Sequence, residues 1–493
     1  MAHATLRAAV RKATQARPLV SWPVILAHLA TTLALVQTLD PAVESEKARQ
    51  LIAGGHPEQA LPIYDQLVHA FPSNPDLLLN FAIAEFSAEH YRGAAEHALA
   101  ALKLKPDLAP ANLFLGASYL KLTEYSTAVD PLRKAVAAIP GDRNARLMLA
   151  EALAGSRQFQ EALGPFQTAA ELLPESPRVW YGLGQTYDAL AEVACRKLQS
   201  EFPDSSYWLT IAADSYLKQR RFGSAFAVYR EALARGPLIP GIHAGLARVY
   251  RETGHAQWAA REDTLEHGIA PLRETASGPA ALYAVCRSYP ELARQSYDRL
   301  DFLPSSLEGH LHRAKVLDAE GQHREAALEW REALKLVPAD HSLLLGLAQS
   351  LYDGRDYEAV LPVAAEVLKQ NSDSALANFL SGASLVSLER PEAAVSYLEA
   401  AARHDPQLRA PSNAALGQAL LSSGKPEQAV PYLKSAIAGD KDGSSVFQLF
   451  RAYQLLGNRA LSAQALAEYQ SFRKSVEEQQ SAEDGSRITG PSE

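Results

Sequence analysis

Cysteine is nearly absent: Cys195 and Cys286 are the only two in 493 residues. So small a count excludes a disulfide framework and a cysteine-built zinc site. The plainest reading of both is a small apolar side chain in a core. Positive charge is not in excess either. The formal net charge is −8, so the chain as a whole is not an electrostatic nucleic-acid binder. The signatures of phosphate, hydrolase and dinucleotide chemistry are missing. There is no P-loop, no GxSxG elbow and no GxGxxG after a strand. His310 and His312 lie two apart, which on a helix turns them to different faces, and they lack the four-residue spacing of a zinc pair. No catalytic residue, metal site or cofactor is expected.

Acidic residues are also missing from the N-terminus, where none precedes Asp40. Arg7, Arg11, Lys12 and Arg17 are followed by an uncharged stretch, 18–39, whose most apolar part is 24–36. A basic segment leading into an apolar one has the form of a secretory signal or signal anchor. The small-x-small match at Thr32, Leu33 and Ala34 is loose, and Ser21, Pro23, His28, Thr31, Thr32 and Gln37 make a marginal membrane span. Three readings of residues 1–40 stand: a cleaved signal, an anchor with the rest of the chain outside, or an amphipathic helix capping the body of the chain. The first two put the protein in the periplasm, the medium or the inner membrane, and the third leaves it in the cytoplasm.

What the chain has in quantity is a period. Hydrophobic residues make up 47% of it, dominated by Ala and Leu, which favours helices. Residues 109–142 show the unit: Leu115, Gly116, Tyr119, then Ala128, Leu132, Ala135 and Pro140. Two amphipathic runs meet at a turn over 123–125. Ala128 and Gly116 are small where the two helices cross, and Pro140 cannot continue the second helix. Prolines repeat that closing position at 72, 106, 140, 174, 203, 237, 271, 304, 338 and 406, mostly 34 residues apart.

This pattern resembles the tetratricopeptide repeat, a 34-residue helix–turn–helix unit. The resemblance covers residues 41–474 and implies an all-α fold, a right-handed superhelical solenoid of about twelve repeats with terminal caps. Within it, 191–205 and 264–306 are irregular. The fifth unit opens well (Trp180, Leu183, Gly184, Tyr187) but has a short second helix at 191–202. The eighth keeps Tyr283, Ala293 and Tyr297 only. The second helix of the seventh is polar (Arg261, Glu262, Asp263, Glu266, His267). Trp180, Trp208, Trp258 and Trp330 fall where the repeat buries bulky residues. Cysteines in units this far apart should not meet. Residues 475–493 are polar, with Val476 and Ile488 the only large apolar residues, and read as a disordered tail.

The resemblance also implies a ligand groove lined by the first helix of each unit. Mapped here, its positions include Tyr181, Gln185, Tyr207, Asp214, Lys218, Arg248, Arg251, Lys315 and Tyr352. The Lys/Asn carboxylate clamp of chaperone-tail binders is not found, nor is the asparagine ladder of the O-GlcNAc transferase superhelix. Residues 214–261 hold eight Lys/Arg against three acids, an ordinary solvated face or a patch for an acidic peptide. The expected function is a non-catalytic protein-interaction scaffold that takes a peptide or partner protein in the groove. The alternative is an accessory subunit of bacterial envelope polysaccharide or protein export and assembly.

Overall fold

The computed structural model describes residues 40–270, 277–484 and 488–490. The basic and apolar N-terminal segment lies outside them, and among the described residues no helix is long and apolar enough to cross a membrane. The chain divides into two compact units, 1–172 and 173–493.

The described residues of the first unit form four helical hairpins. They are α1 and α2 (Pro41–Ala53, Pro57–Ala70), α3 and α4 (Pro75–Ser87, Tyr91–Leu104), α5 and α6 (Ala109–Lys121, Tyr125–Ala138), and α7 and α8 (Arg143–Gly155, Phe159–Leu172). Caps set the starts. Asp40, Asn74 and Asp142 each accept a backbone N–H from the first turn of the helix after them, and Pro41 and Pro75 occupy the first helical position, where a missing N–H costs nothing. Each first helix packs on its own second helix and on the first helix of the next hairpin. Small residues permit this. Ala60, Ala94, Ala128 and Ala162 are wholly buried at the crossings, and a Cβ on Gly116 would run into the Leu132 side chain.

The second unit begins with α9 (Pro177–Glu201) and continues through α10 and α11 (Ser206–Lys218, Phe222–Arg235), α12 and α13 (Ile242–Glu252, Ala256–His267) and α14 (Pro279–Asp298). Five hairpins come next: α15 and α16 (Leu307–Ala319, His323–Leu336), α17 and α18 (His341–Asp353, Tyr357–Gln370), α19 and α20 (Ala375–Ser387, Pro391–His404), α21 and α22 (Arg409–Ser422, Pro426–Ala436), and α23 and α24 (Ser444–Leu455, Arg459–Asp484). In α18 Val360 and Val367 are buried, with Ala359 and Leu368 half-buried beside them.

The partner of α9 is α14, not a short helix at 191–202. Gly184 shows the register. A Cβ there would stand 2.5 Å from the Tyr297 ring, the contact that Gly116 makes with Leu132, Gly382 with Leu398 and Gly417 with Leu433. In those three repeats the pair is sixteen residues apart; here it spans 184 to 297. The fifth and eighth units of the sequence reading are therefore the two halves of one repeat, and α10–α13 are a two-repeat branch inserted between them. The next first helix, α15, lies beside α9.

Turn geometry agrees. Eleven hairpins turn through a left-handed residue between their helices: Gly55, Glu89, Thr123, Arg157, Arg220, Gly254, Gly321, Arg355, Glu389, Gly424 and Gly457. The α9–α14 repeat has the branch at that place instead.

Both halves of the split repeat are lengthened to reach the branch. α9 runs 25 residues and α14 runs 20, against 13 or 14 for typical helices here. The extensions pack on each other as a stalk. Tyr187 meets Tyr289 edge-on at 5.2 Å between ring centres, and Cys195 and Cys286 form a disulfide with Cα atoms 5.0 Å apart. The expectation of two unpaired cysteines is corrected here. They are 91 residues apart in sequence but on adjacent helices in space.

The polar helix α13 packs through matched charges. Glu262 pairs with His243 inside the hairpin, Asp263 takes both of its oxygens to Arg251 at 2.6 Å, and Glu266 accepts the N–H groups of Gly241 and Ala244 at the start of α12. The sequence reading ends the last hairpin at Lys474, whereas α24 continues to Asp484. Ile488–Gly490 then lies against the branch, where Ile488 joins its apolar core. At these residues the structure differs from the reading of 475–493 as a disordered tail, and 485–487 and 491–493 lie outside the described residues.

Candidate functional site

The predicted groove residues separate into four places. Tyr181 and Gln185 on α9 and Lys315 on α15 share one face. The Lys315 ammonium donates to the Tyr181 hydroxyl at 2.8 Å and lies 5.5 Å from its ring centre, and Gln185 is exposed. This face extends to Asp188, which the groove mapping also includes, and to Tyr297 and His312, which it does not. The Tyr297 hydroxyl donates to Asp188 at 2.8 Å, and its ring stacks on His312 at 4.0 Å, with the Tyr181 ring 6.2 Å away. The face thus holds three aromatic rings, a lysine and a carboxylate within two neighbouring first helices and the helix between them.

Burial sets its protonation. It pushes the Asp188 carboxyl above its ordinary value, against the Tyr297 hydrogen bond and the nearby His312. It lowers His312, outweighing Asp301 and Asp188, and it raises Tyr297, with Asp188 adding to the effect. The imidazole is accordingly a neutral stacking surface at neutral pH, and Lys315 supplies the cation.

Tyr207 and Asp214 are elsewhere, at the root of the branch. The Tyr229 hydroxyl donates to Asp214 at 2.5 Å. Arg287 from α14 reaches the same carboxylate at 4.0 Å and donates to the Pro240 carbonyl at 2.7 Å, which the Tyr283 hydroxyl also reaches at 2.6 Å. The Tyr207 ring packs 5.3 Å from Tyr283. Burial raises Tyr229 and Tyr283. For Arg287 burial works downward, but Tyr283 and Asp214 win and raise it. This network fastens the branch to α14, so Asp214 is structural. Sequence reading missed it because Tyr229 is a local neighbour while Tyr283 and Arg287 are not.

Lys218, Arg248 and Arg251 are exposed on the branch. The excess of cations there is moderated by local partners: Arg251 by Asp263, Arg235 by Glu231 at 2.5 Å, and Arg220 by Glu252 at 3.7 Å. Tyr352 packs with Tyr357 and Phe379, ring centres 5.6 and 6.2 Å away. His310 pairs with Glu329 at 2.6 Å, while His312 turns to Tyr297. Of the four tryptophans among the described residues, Trp330 is buried and the others are half-buried. Trp180 donates its indole N–H to the Pro174 carbonyl and carries Arg299 over its ring.

No curated protein matches the chain. Solved structures with similarity include MamA from Desulfovibrio magneticus RS-1, at 28% identity over 29% of this chain and 82% of that one, with a TM-score of 0.28. Another is MamA AMB-1, at 18% identity over 46% and 98% of the two chains, with a TM-score of 0.27. The tetratricopeptide repeat family model matches residues 46–107, 79–143, 147–194, 212–263, 311–359 and 350–409, more than half of the chain. Its gaps at 195–211 and 264–310 fall on the stalk and the joins of the branch. The chain belongs to the tetratricopeptide repeat family.

Proposed function

We propose that the chain is a non-catalytic scaffold that binds an extended peptide segment of a partner protein on the face shared by α9 and α15. What supports this reading is the combination there of exposed Gln185, the cation of Lys315 and the rings of Tyr181, Tyr297 and His312. Aromatic rings supply contact area at low entropic cost, and an amide and a cation can read main-chain or C-terminal carbonyl oxygens. Repeat hairpins fill the described residues, consistent with binding rather than turnover. The test is cross-linking and affinity capture from the native source with the wild type and a Tyr181→Ala/Lys315→Glu variant. A partner retained equally by both would refute the assignment of this face.

We further propose that the protein works outside the cytoplasm, as in the accessory-subunit reading for envelope export or assembly. The observation favouring it is the Cys195–Cys286 disulfide, a bond that persists in oxidising compartments. The basic-then-apolar segment of residues 1–39 is in keeping with export. Fractionation with intact mass tests it: a full-length, reduced chain in the cytoplasm would remove the export reading and leave the scaffold.

A further inference from the structure

The branch ends differently from the other hairpins. After α2, α4 or α6 the next helix stacks at once on the hairpin just made. After α13 the next helix is α14, which pairs with α9. The last hairpin of the branch therefore keeps aromatic side chains that no further repeat covers. The Tyr250 and Trp258 rings meet edge-on at 5.5 Å, and His255 stacks on Trp258 at 4.3 Å.

Ile488–Gly490 occupies this place. The Tyr250 hydroxyl donates to the main-chain carbonyl of Thr489 at 2.8 Å. Ile488 is packed into the branch core that includes Phe226, Tyr250 and Trp258. Gly490 sits on the indole, where a Cβ would lie 3.1 Å from Cε2 of Trp258. The side chain of Thr489 is exposed. One apolar side chain is inserted, one carbonyl is read, one position is free and one must be small. Those are the elements by which a short extended peptide is recognised. Ile488 is also one of the two large apolar residues in a polar terminal stretch.

We propose that the Tyr250–Trp258 face of the branch is a peptide-binding site for segments of the form aliphatic–any–glycine, and that the chain's own residues 488–490 are its resident ligand. A partner carrying such a segment binds by displacing them. The site is separate from the α9–α15 face, so either assignment can fail without the other.

Anisotropy of a labelled peptide with the sequence of residues 484–493 tests it, using the full chain and a full-length Ile488→Asp/Gly490→Leu variant that cannot seat its own tail. A tethered competitor acts at an effective concentration of about 1 mM. A peptide with a Kd of tens of micromolar should therefore bind the variant roughly 10- to 100-fold more tightly than the wild type. Adding Trp258→Ala to the variant should abolish binding. Equal affinity for wild type and variant overturns the proposal, as does no binding to a variant whose circular dichroism and melting match the wild type.

A second measurement needs no substitution. A saturating free peptide of residues 488–493, which lacks Arg487 and so is no trypsin substrate, should speed tryptic cleavage after Arg487 of the wild type several-fold, and a rate indifferent to the peptide overturns the proposal. Dilution should leave the uncompeted rate unchanged. A rate that rises on dilution means a second copy's tail fills the site and overturns the assignment to the chain's own.

Discussion

The disulfide between α9 and α14 gives the sharpest test of the split repeat. Its cysteines are 91 residues apart, so in the unfolded chain it closes a loop holding the whole branch. Loop-closure entropy for that length corresponds to about 4.6 kcal/mol at room temperature. With an m-value of about 3 kcal/mol/M in urea, loss of the bond should lower the unfolding midpoint by about 1.5 M. The probes are well placed. Trp180, Trp208, Trp258 and Trp330 all belong to the second unit, and no tryptophan occurs among the described residues of the first. The fifth tryptophan, Trp22, lies outside the described residues; in a Trp22→Phe background fluorescence follows the second unit, while far-ultraviolet circular dichroism follows both. Reductant, or Cys195→Ser/Cys286→Ser, should shift the fluorescence transition and leave the part of the dichroism transition due to the first unit in place. A fluorescence midpoint unmoved by either treatment would refute the reasoning. So would a non-reducing peptide map without the linked pair.

Three further outcomes are expected. Gly184→Ala places a Cβ 2.5 Å from the Tyr297 ring and should destabilise the second unit by about 1–3 kcal/mol; an unchanged melting curve would mean that α9 and α14 do not pair. Thr123 is β-branched at φ 59°, a backbone region that costs an L-residue roughly 1–2 kcal/mol. Thr123→Gly should therefore raise the stability of the first unit by about 1 kcal/mol in denaturant melts, less what glycine adds to the unfolded chain's freedom. The histidines should titrate on opposite sides of 6.5. Burial works against the charge on His97, but its hydrogen bond to Glu85 at 2.7 Å prevails and raises it, whereas burial lowers His312. The His97 contribution is thus full below pH 6.5 and fades as pH rises through its folded value. His312 opposes folding as pH falls through 6.5, since the unfolded state then binds the proton more readily. An imidazole NMR titration in which both midpoints fall on the same side of 6.5 contradicts this account.

Most of the fold is legible because each helix usually pairs with its chain neighbour. Gly116, Ala128 and Leu132 mark a crossing that the structure reproduces, and the same marks recur at Gly382, Ala394 and Leu398. The reading fails where that locality fails. Trp180, Leu183, Gly184 and Tyr187 are an intact first half, and Ala293 and Tyr297 an intact second half. A search that pairs neighbours scores them as two damaged repeats. The signals were present: one half-pattern missing from each unit and one cysteine in each. The candidate site divides along the same line. Tyr181 and Lys315 come from consecutive first helices of the spine, so the groove positions bring them together. Asp214 and Tyr207 are groove positions by the same mapping but lie on a branch helix, where α14 uses them as an attachment. The resident tail could not be read from local pattern, because three residues with one aliphatic side chain have no periodicity.

If the branch is an insertion, removing it should restore an ordinary repeat. Deleting residues 191–287 leaves Tyr187 and Ala293 nine positions apart, the spacing of Tyr119 and Ala128 in an uninterrupted unit. It joins Leu190 to Ser288, and Ser288 then falls where Thr123 takes its left-handed turn. Ser288→Gly in the shortened chain supplies a residue that adopts that conformation without strain. The deletion removes the disulfide and the branch core, which are internal to what is excised except for the seat of Ile488–Gly490 and the contact of α24 with α11. Gly184 against Tyr297, and Tyr297 against Asp188 and His312, all remain. In a solenoid, where stability is a sum of repeats and their nearest-neighbour contacts, the shortened chain should melt cooperatively and keep the α9–α15 face. It should also lose all binding of the 484–493 peptide. If the second unit instead unfolds, α9 and α14 are not two halves of one repeat but require the branch to hold them together.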